Sequence, residues 1–282
     1  MPDNSAEQIF AGETAGPDEV ARFKASPFYA SLARSLARRG LSPESVCDLA
    51  DPGARRLLAE YGAMYVAAET VRVPPACAFR GEPEVEAFQR AVEPAAADFG
   101  GTPVELQRAA LAALVAAREE ARREGFDITP RGGREAARRS FADTVRLWDS
   151  RLGPALTHWV ECGCLDGAEA AGLRSLARGE QLARVLEFEA RGVYFSKCLT
   201  KSILYSVAAP GASQHLALLA FDVQEFTDAR VREILARRGW FQTVRSDLPH
   251  FTYLGVGEEE LPRLGLKRID EDGQIFWVPD LG

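Results

Sequence analysis

The stretch GASQHLALLAFDV, Gly211 to Val223, decides how this chain is read. It sets His215 and Asp222 seven residues apart in a strongly apolar run. The chain holds three histidines in all, His158, His215 and His250. On one continuous helix, His215 and Asp222 would share a face but stand two turns, about 10.5 Å, apart along the axis. On one straight strand, their odd spacing would send them to opposite faces. A third arrangement lets them meet. A loop ends at His215, the chain turns, and a strand from about Leu219 carries Asp222 back, with Ala220 as a small neighbour on the same face.

A metal such as zinc takes three protein ligands at a working site and keeps one position open. The third candidate lies downstream in SDLPHFTYLG, where His250 follows Pro249 and opens an aromatic strand. Asp247 sits three residues earlier, on the turn, where a carboxylate can accept a proton from activated water. Taken singly, His215 reads as a core histidine, Asp222 as a strand-end cap and Asp247 as ordinary turn chemistry. Taken together, they converge on a metal site.

Composition narrows the function classes. Lys and Arg total 34 against 41 Asp and Glu, a net charge of −7, and the arginines of the 134–146 region alternate with Ala and Glu. That pattern is a solvated helix face, not a phosphate track, so no nucleic-acid partner is expected. No apolar run approaches the ~20 residues of a membrane span. The N-terminus is polar and acidic, so no signal peptide is expected in this chain, which leaves a cytoplasmic protein or a trimmed leader. Five cysteines are an odd number, and Cys162-Gly163-Cys164 has no second pair at zinc-finger spacing. His158 has helical spacing to Glu161 but no partner motif, and Ser213 lacks the Gly-x-Ser-x-Gly setting of a nucleophile.

Helical patterns fill the first half. They cover 17–40 up to Gly40, the segment after Ser42-Pro43, 84–99, 104–125 and 134–152, and they continue to about 190. AMYVAAETVRV and FDITP read as β-like, and WFQTV, HFTYLGV and QIFWVP as late strands. Helices first and strands late predict an α+β chain: a helical N-terminal region, then a small, mainly antiparallel sheet flanked by helices. A soft boundary near 78 separates a helical segment, 1–78, from the remainder, 79–282.

The blocks Ser213-x-His215, Ala220-x-Asp222 and Asp247-x-x-His250 resemble the zinc D-alanyl-D-alanine carboxypeptidase family. That family includes VanY-type carboxypeptidases and VanX-type dipeptidases and shares a core with the hedgehog signalling domain. The resemblance covers roughly 80–260, with a helical insertion at about 152–190. It implies a hedgehog/DD-peptidase-like fold and a Zn2+ held by His215, Asp222 and His250, with Asp247 as general base and Ser213 at the substrate. The family's substrate-contacting arginine has two candidates. Arg139 fits the register Arg139-Ser140-Phe141, and Arg131 fits the structural position after FDITP. Three positions depart from the family: Leu218 for a glycine, Asp247 for a glutamate and Thr144 for a glutamine.

The resemblance therefore implies a metallopeptidase acting on peptidoglycan peptides or other D-Ala-terminated peptides, a substrate class of the cell envelope. A catalytically weak or inactive zinc-containing module that binds cell-wall peptide is the alternative. A helical structural protein in which the motifs are accidental predicts instead that the three ligands never converge.

Overall fold

The structure, a computed structural model, describes residues 17–282; the polar stretch 1–16 lies outside them. The N-terminal run forms two helices, not one. Ser26 breaks it, its hydroxyl accepting from the Tyr29 N–H, and Pro27 opens the next turn. Helix α1 is Pro17–Ala25 and α2 is Pro27–Ala37. Ser42 caps the short α3 (Pro43–Val46) as expected, and Asp51 caps α4 (Pro52–Tyr61).

The segment expected to be β-like, from Ala63, instead makes a 3-10 turn over Gly62–Val66. Its backbone is satisfied without a strand partner. Arg39 donates to the carbonyls of Ala67 and Ala68, and the Ala68 N–H donates to Leu254. A disulfide joins Cys47 to Cys77.

Residues 84–99 and 104–125 were expected to be two unbroken helices. Helix α5 covers only Glu82–Ala91. Pro94 cannot continue it, and Glu93 before it takes a positive φ of 46°. The chain then forms a hairpin, β1 (Ala95–Asp98) with β2 (Pro103–Leu106), around Gly100 and Gly101. The alanines of β1 favour helix locally, but the two glycines supply the turn that pairs the flanks. Helix α6 (Arg108–Arg123) follows. FDITP stays extended but forms no strand; only Pro130 bridges to Val223.

Helix α7 is Phe141–Glu161, starting later than the pattern from 134 suggested. Ser140 and Asp143 form a reciprocal capping box, which stops helix at that point and leaves Arg139 at its mouth. Helices α8 (Gly167–Ser175) and α9 (Arg178–Ala190) pack with α7 around Trp148, Leu156, Leu173, Val185 and Phe188.

The late segment supplies β3 (Ala220–Asp222), α10 (Ala229–Arg237), β4 (Trp240–Phe241) and β5 (His250–Tyr253). A closing hairpin pairs β6 (Leu266–Glu271) with β7 (Gln274–Pro279). Strand β7 matches the expected QIFWVP; β6, rich in charge, carried no strand signal. The chain is α+β, with small antiparallel sheets among helices. Residues on both sides of position 78 share one core, in which Phe28, Leu32 and Tyr65 join Leu114, Phe221 and Trp240. Among the described residues, no helix is long and apolar enough to cross a membrane.

A three-stranded sheet runs β3-β5-β4, all antiparallel, with Asp222 opposite His250 and Ala220 opposite Thr252. Alternation splits its residues. Phe221, Phe251, Trp240 and Tyr253 face one way, where Phe221 packs against Phe99 and Trp240. Asp222, His250, Ala220 and Thr252 face the other.

Candidate metal centre

The quoted stretch folds as a loop, a turn and a strand. Gly211 opens it at φ +82°, and any Cβ there would strike the Phe79 carbonyl. Its N–H donates to the Thr144 hydroxyl of α7 (3.2 Å) and its carbonyl accepts from the Phe79 N–H (2.9 Å). Gln214–Ala217 then make one 3-10 turn, which leaves through Leu218 in the left-handed conformation (φ 57°, ψ 34°). That conformation costs a non-glycine residue about 1–2 kcal/mol. Complete burial of the Leu218 side chain offsets it, and its carbonyl accepts from the Gln107 N–H at 3.2 Å. Strand β3 follows at Ala220, with Asp222 at its end.

The strand ladder brings Asp222 to His250. The Val223 N–H donates to Pro249 and the Tyr253 N–H to Leu219, so the intervening Asp222–His250 position is a non-hydrogen-bonded pair. Side chains approach most closely at such pairs. His215 arrives from the 3-10 turn. His215 Nε2 lies 3.2 Å from His250 Nδ1 and 3.3 Å from Asp222 Oδ1, and His250 Nδ1 lies 3.2 Å from the same oxygen. The three atoms form a near-equilateral triangle, and all three residues are buried. Ligands about 2.0–2.1 Å from a tetrahedral ion stand about 3.3–3.4 Å apart, so the triangle has the size of three corners of such a site. This His–Asp–His group can hold a metal ion. Nitrogen and carboxylate donors of this kind suit first-row divalent metals.

Neighbouring groups fix these side chains. His215 Nδ1 faces the Ala137 carbonyl at 3.2 Å; a carbonyl only accepts, so that nitrogen carries the proton and Nε2 presents a lone pair. Burial, reinforced by the Arg139 charge, pushes the His215 pKa down to about 4 and keeps the ring neutral. Arg139 Nη2 donates to the other Asp222 oxygen at 2.7 Å.

The group lies on the wall of a cleft of about 260 Å³. Ser213, Asp247, Arg139 and Arg151 line it, with Tyr61 of α4 and the apolar Leu204 and Val207. A larger depression of about 500 Å³, beside α6 and β1, is an open apolar trough with no comparable cluster. Asp247 stays half-buried; burial, then the Asp222 charge, raises its pKa. The Asp247 carbonyl accepts from the His250 N–H at 3.0 Å, which seats this turn against β5.

No family model, curated protein or solved structure matches the chain.

Of the residues singled out from sequence, His215, His250, Asp247, Ser213 and Arg139 line the cleft, and Asp222 sits behind them in the cluster. Arg131 does not join them. Its N–H donates to the Asp222 carbonyl (2.8 Å), while its guanidinium turns outward to Gln224 and stacks over Phe226. Three contributors had escaped the sequence reading. Gln214 accepts from His250 and donates to the Tyr61 carbonyl. A buried amide inside an apolar run was the available signal for it. Tyr61 comes from a distant helix, and Arg151 was hidden among the arginines of α7. Arg151 forms no ion pair among the described residues, and its Nε is buried without a hydrogen-bond partner.

Proposed function

We propose that this protein is a zinc-dependent peptidase of the D-alanyl-D-alanine carboxypeptidase type, acting on short peptidoglycan peptides. The observation that carries the reading is the triangle of His215, Asp222 and His250 atoms at 3.2–3.3 Å, set in a cleft that also exposes Asp247. On this reading the β3-β5-β4 sheet is the hedgehog/DD-peptidase-like core. His215, Asp222 and His250 would hold zinc, which when bound supplies a Lewis acid for the scissile carbonyl and makes water more acidic.

The other roles belong to the chain. Asp247 accepts a proton from the attacking water and returns it to the leaving amine. Arg139, bonded to Asp222, holds that carboxylate in one orientation and keeps it ionised. Of the cleft's two arginines, Arg151 has no anionic partner among the described residues, so it receives the substrate's terminal carboxylate, with Ser213 beside it. The Cys47–Cys77 disulfide suits an oxidising compartment, where peptidoglycan is met.

One observation favours a second reading, a module that binds cell-wall peptide without cleaving it. Burial, then the Asp222 charge, raises the Asp247 pKa, which works against the ionised form that a base needs. One assay separates the two: incubation of the purified, zinc-loaded protein with a peptide ending in D-Ala-D-Ala. The peptidase releases free D-Ala and stops on chelation. Binding without release supports the module, and a protein that retains no stoichiometric metal sinks both.

A further inference from the structure

His250 Nδ1 stands 3.2 Å from the Asp222 carboxylate, and a neutral imidazole with its proton on Nδ1 would donate to that oxygen. A proton, not a metal, would then fill the site. What faces the opposite nitrogen decides between them.

His250 Nε2 lies 2.8 Å from Gln214 Oε1. The amide orientation follows from its other contact. Gln214 Nε2 lies 2.8 Å from the Tyr61 carbonyl, and a carbonyl only accepts, so the NH2 end points there. The oxygen is thereby turned to His250. Thr252 closes the remaining approach, its hydroxyl donating to the same oxygen at 2.5 Å. The Thr252 proton is thus committed, and Thr243, 2.6 Å from the Thr252 hydroxyl, donates to it. Gln214, Thr243, Thr252 and His250 are all buried, and each of these partners is a protein group. An amide oxygen cannot donate, so in the neutral ring the single proton of His250 belongs on Nε2.

We infer that Gln214 is a positioning residue that fixes the tautomer of His250, forcing a bare Nδ1 lone pair towards His215 Nε2 and Asp222 Oδ1. Three acceptors then converge at 3.2–3.3 Å with no proton between them, an arrangement that a cation relieves. The Tyr61 carbonyl and the two threonines hold Gln214 in the orientation that does this. The inference rests on the metal-site reading above and assigns the source of its affinity for a divalent ion.

The test uses the full chain, Co2+ as probe and 15N-histidine NMR, in which only three imidazoles appear. The metal-free wild type is expected to carry the His250 proton on Nε2. Gln214→Met, which keeps the volume and removes the acceptor, is expected to move the proton to Nδ1 and weaken Co2+ binding about 10–100-fold, the range for loss of such an outer partner. Gln214→Glu, protonated in that buried place, can donate to Tyr61 and accept from His250. It should restore the tautomer, the affinity and the visible Co2+ spectrum. A wild-type proton on Nδ1 overturns the inference without any variant, and so does a folded Gln214→Met with wild-type affinity. Failure of the wild type to bind Co2+ at all instead overturns the metal reading beneath it. The wild-type titration tells these results apart.

Discussion

The two faces of the β3-β5-β4 sheet come from alternate residues of the same short strands, and both are buried, yet they are held by different physics. On one face Phe221, Phe251, Trp240 and Tyr253 need nothing but each other and the core, and their rings meet edge-on or tilted. On the other, Asp222 and His250 cannot be satisfied within the sheet. They depend on groups from elsewhere: Arg139 before α7, and Gln214 and His215 in the 3-10 turn. The aromatic face serves stability, because apolar burial is non-directional and tolerates small shifts. The polar face is directional instead, because Asp222, His250 and Thr252 are each held by particular partners. A strand's period of two lets one element do both.

That contrast can be broken from the polar side first. Chelation, or Asp222→Ala, should reduce D-Ala release to background while near-UV circular dichroism keeps its native form. Parallel loss of the folded signal would show that the two faces are not separable. Asp247→Asn should leave metal content unchanged and lower kcat about 10²–10⁴-fold, the usual contribution of a positioned base. In the wild type, Asp247 must be ionised to act and its pKa is raised from 3.8. Activity should therefore fall as pH drops, with the acid limb of the kcat profile lying above pH 3.8. An acid limb at or below that value contradicts the assignment.

From the aromatic side, Phe221→Ala should cost about 3–5 kcal/mol in urea unfolding, because it empties a fully buried ring site. His215, Asp222 and His250 remain, so the variant should still retain metal wherever it is folded. Smallest of all is the contrast between two arginines. Arg151→Ala should raise KM for a carboxylate-terminated peptide about tenfold, roughly the worth of one charge-assisted hydrogen bond, with little change for an amidated one. Arg131→Ala should leave KM unaltered and stability within about 0.5 kcal/mol, since its guanidinium is on the surface. Equal effects from both would remove the substrate role given to Arg151.

Much of the site was legible because it obeys local rules. Pro249 before His250 and the seven-residue spacing of His215 and Asp222 require a turn between a loop and a strand, and the chain takes it. Leu218 marked the place where a glycine would ease that turn, and the residue there is left-handed. The β1–β2 hairpin was hidden by alanines whose local preference is helical, a preference that Pro94 and Gly100-Gly101 override. Arginine and alanine continue a helical pattern through 134–140 and hide the start of α7, which the capping box at Ser140 sets.

The sequence by itself determined the α+β character, the candidate ligands and the acidic residue beside them, since spacing, turn residues and the scarcity of histidine act along the chain. Tertiary structure alone decided which arginine meets Asp222, which faces the cleft and which turns to solvent. It alone brought Tyr61 and Gln214 together to orient His250. Those choices depend on groups far apart in sequence, and no local propensity encodes the 2.8 Å between an amide in one turn and a carbonyl 153 residues away.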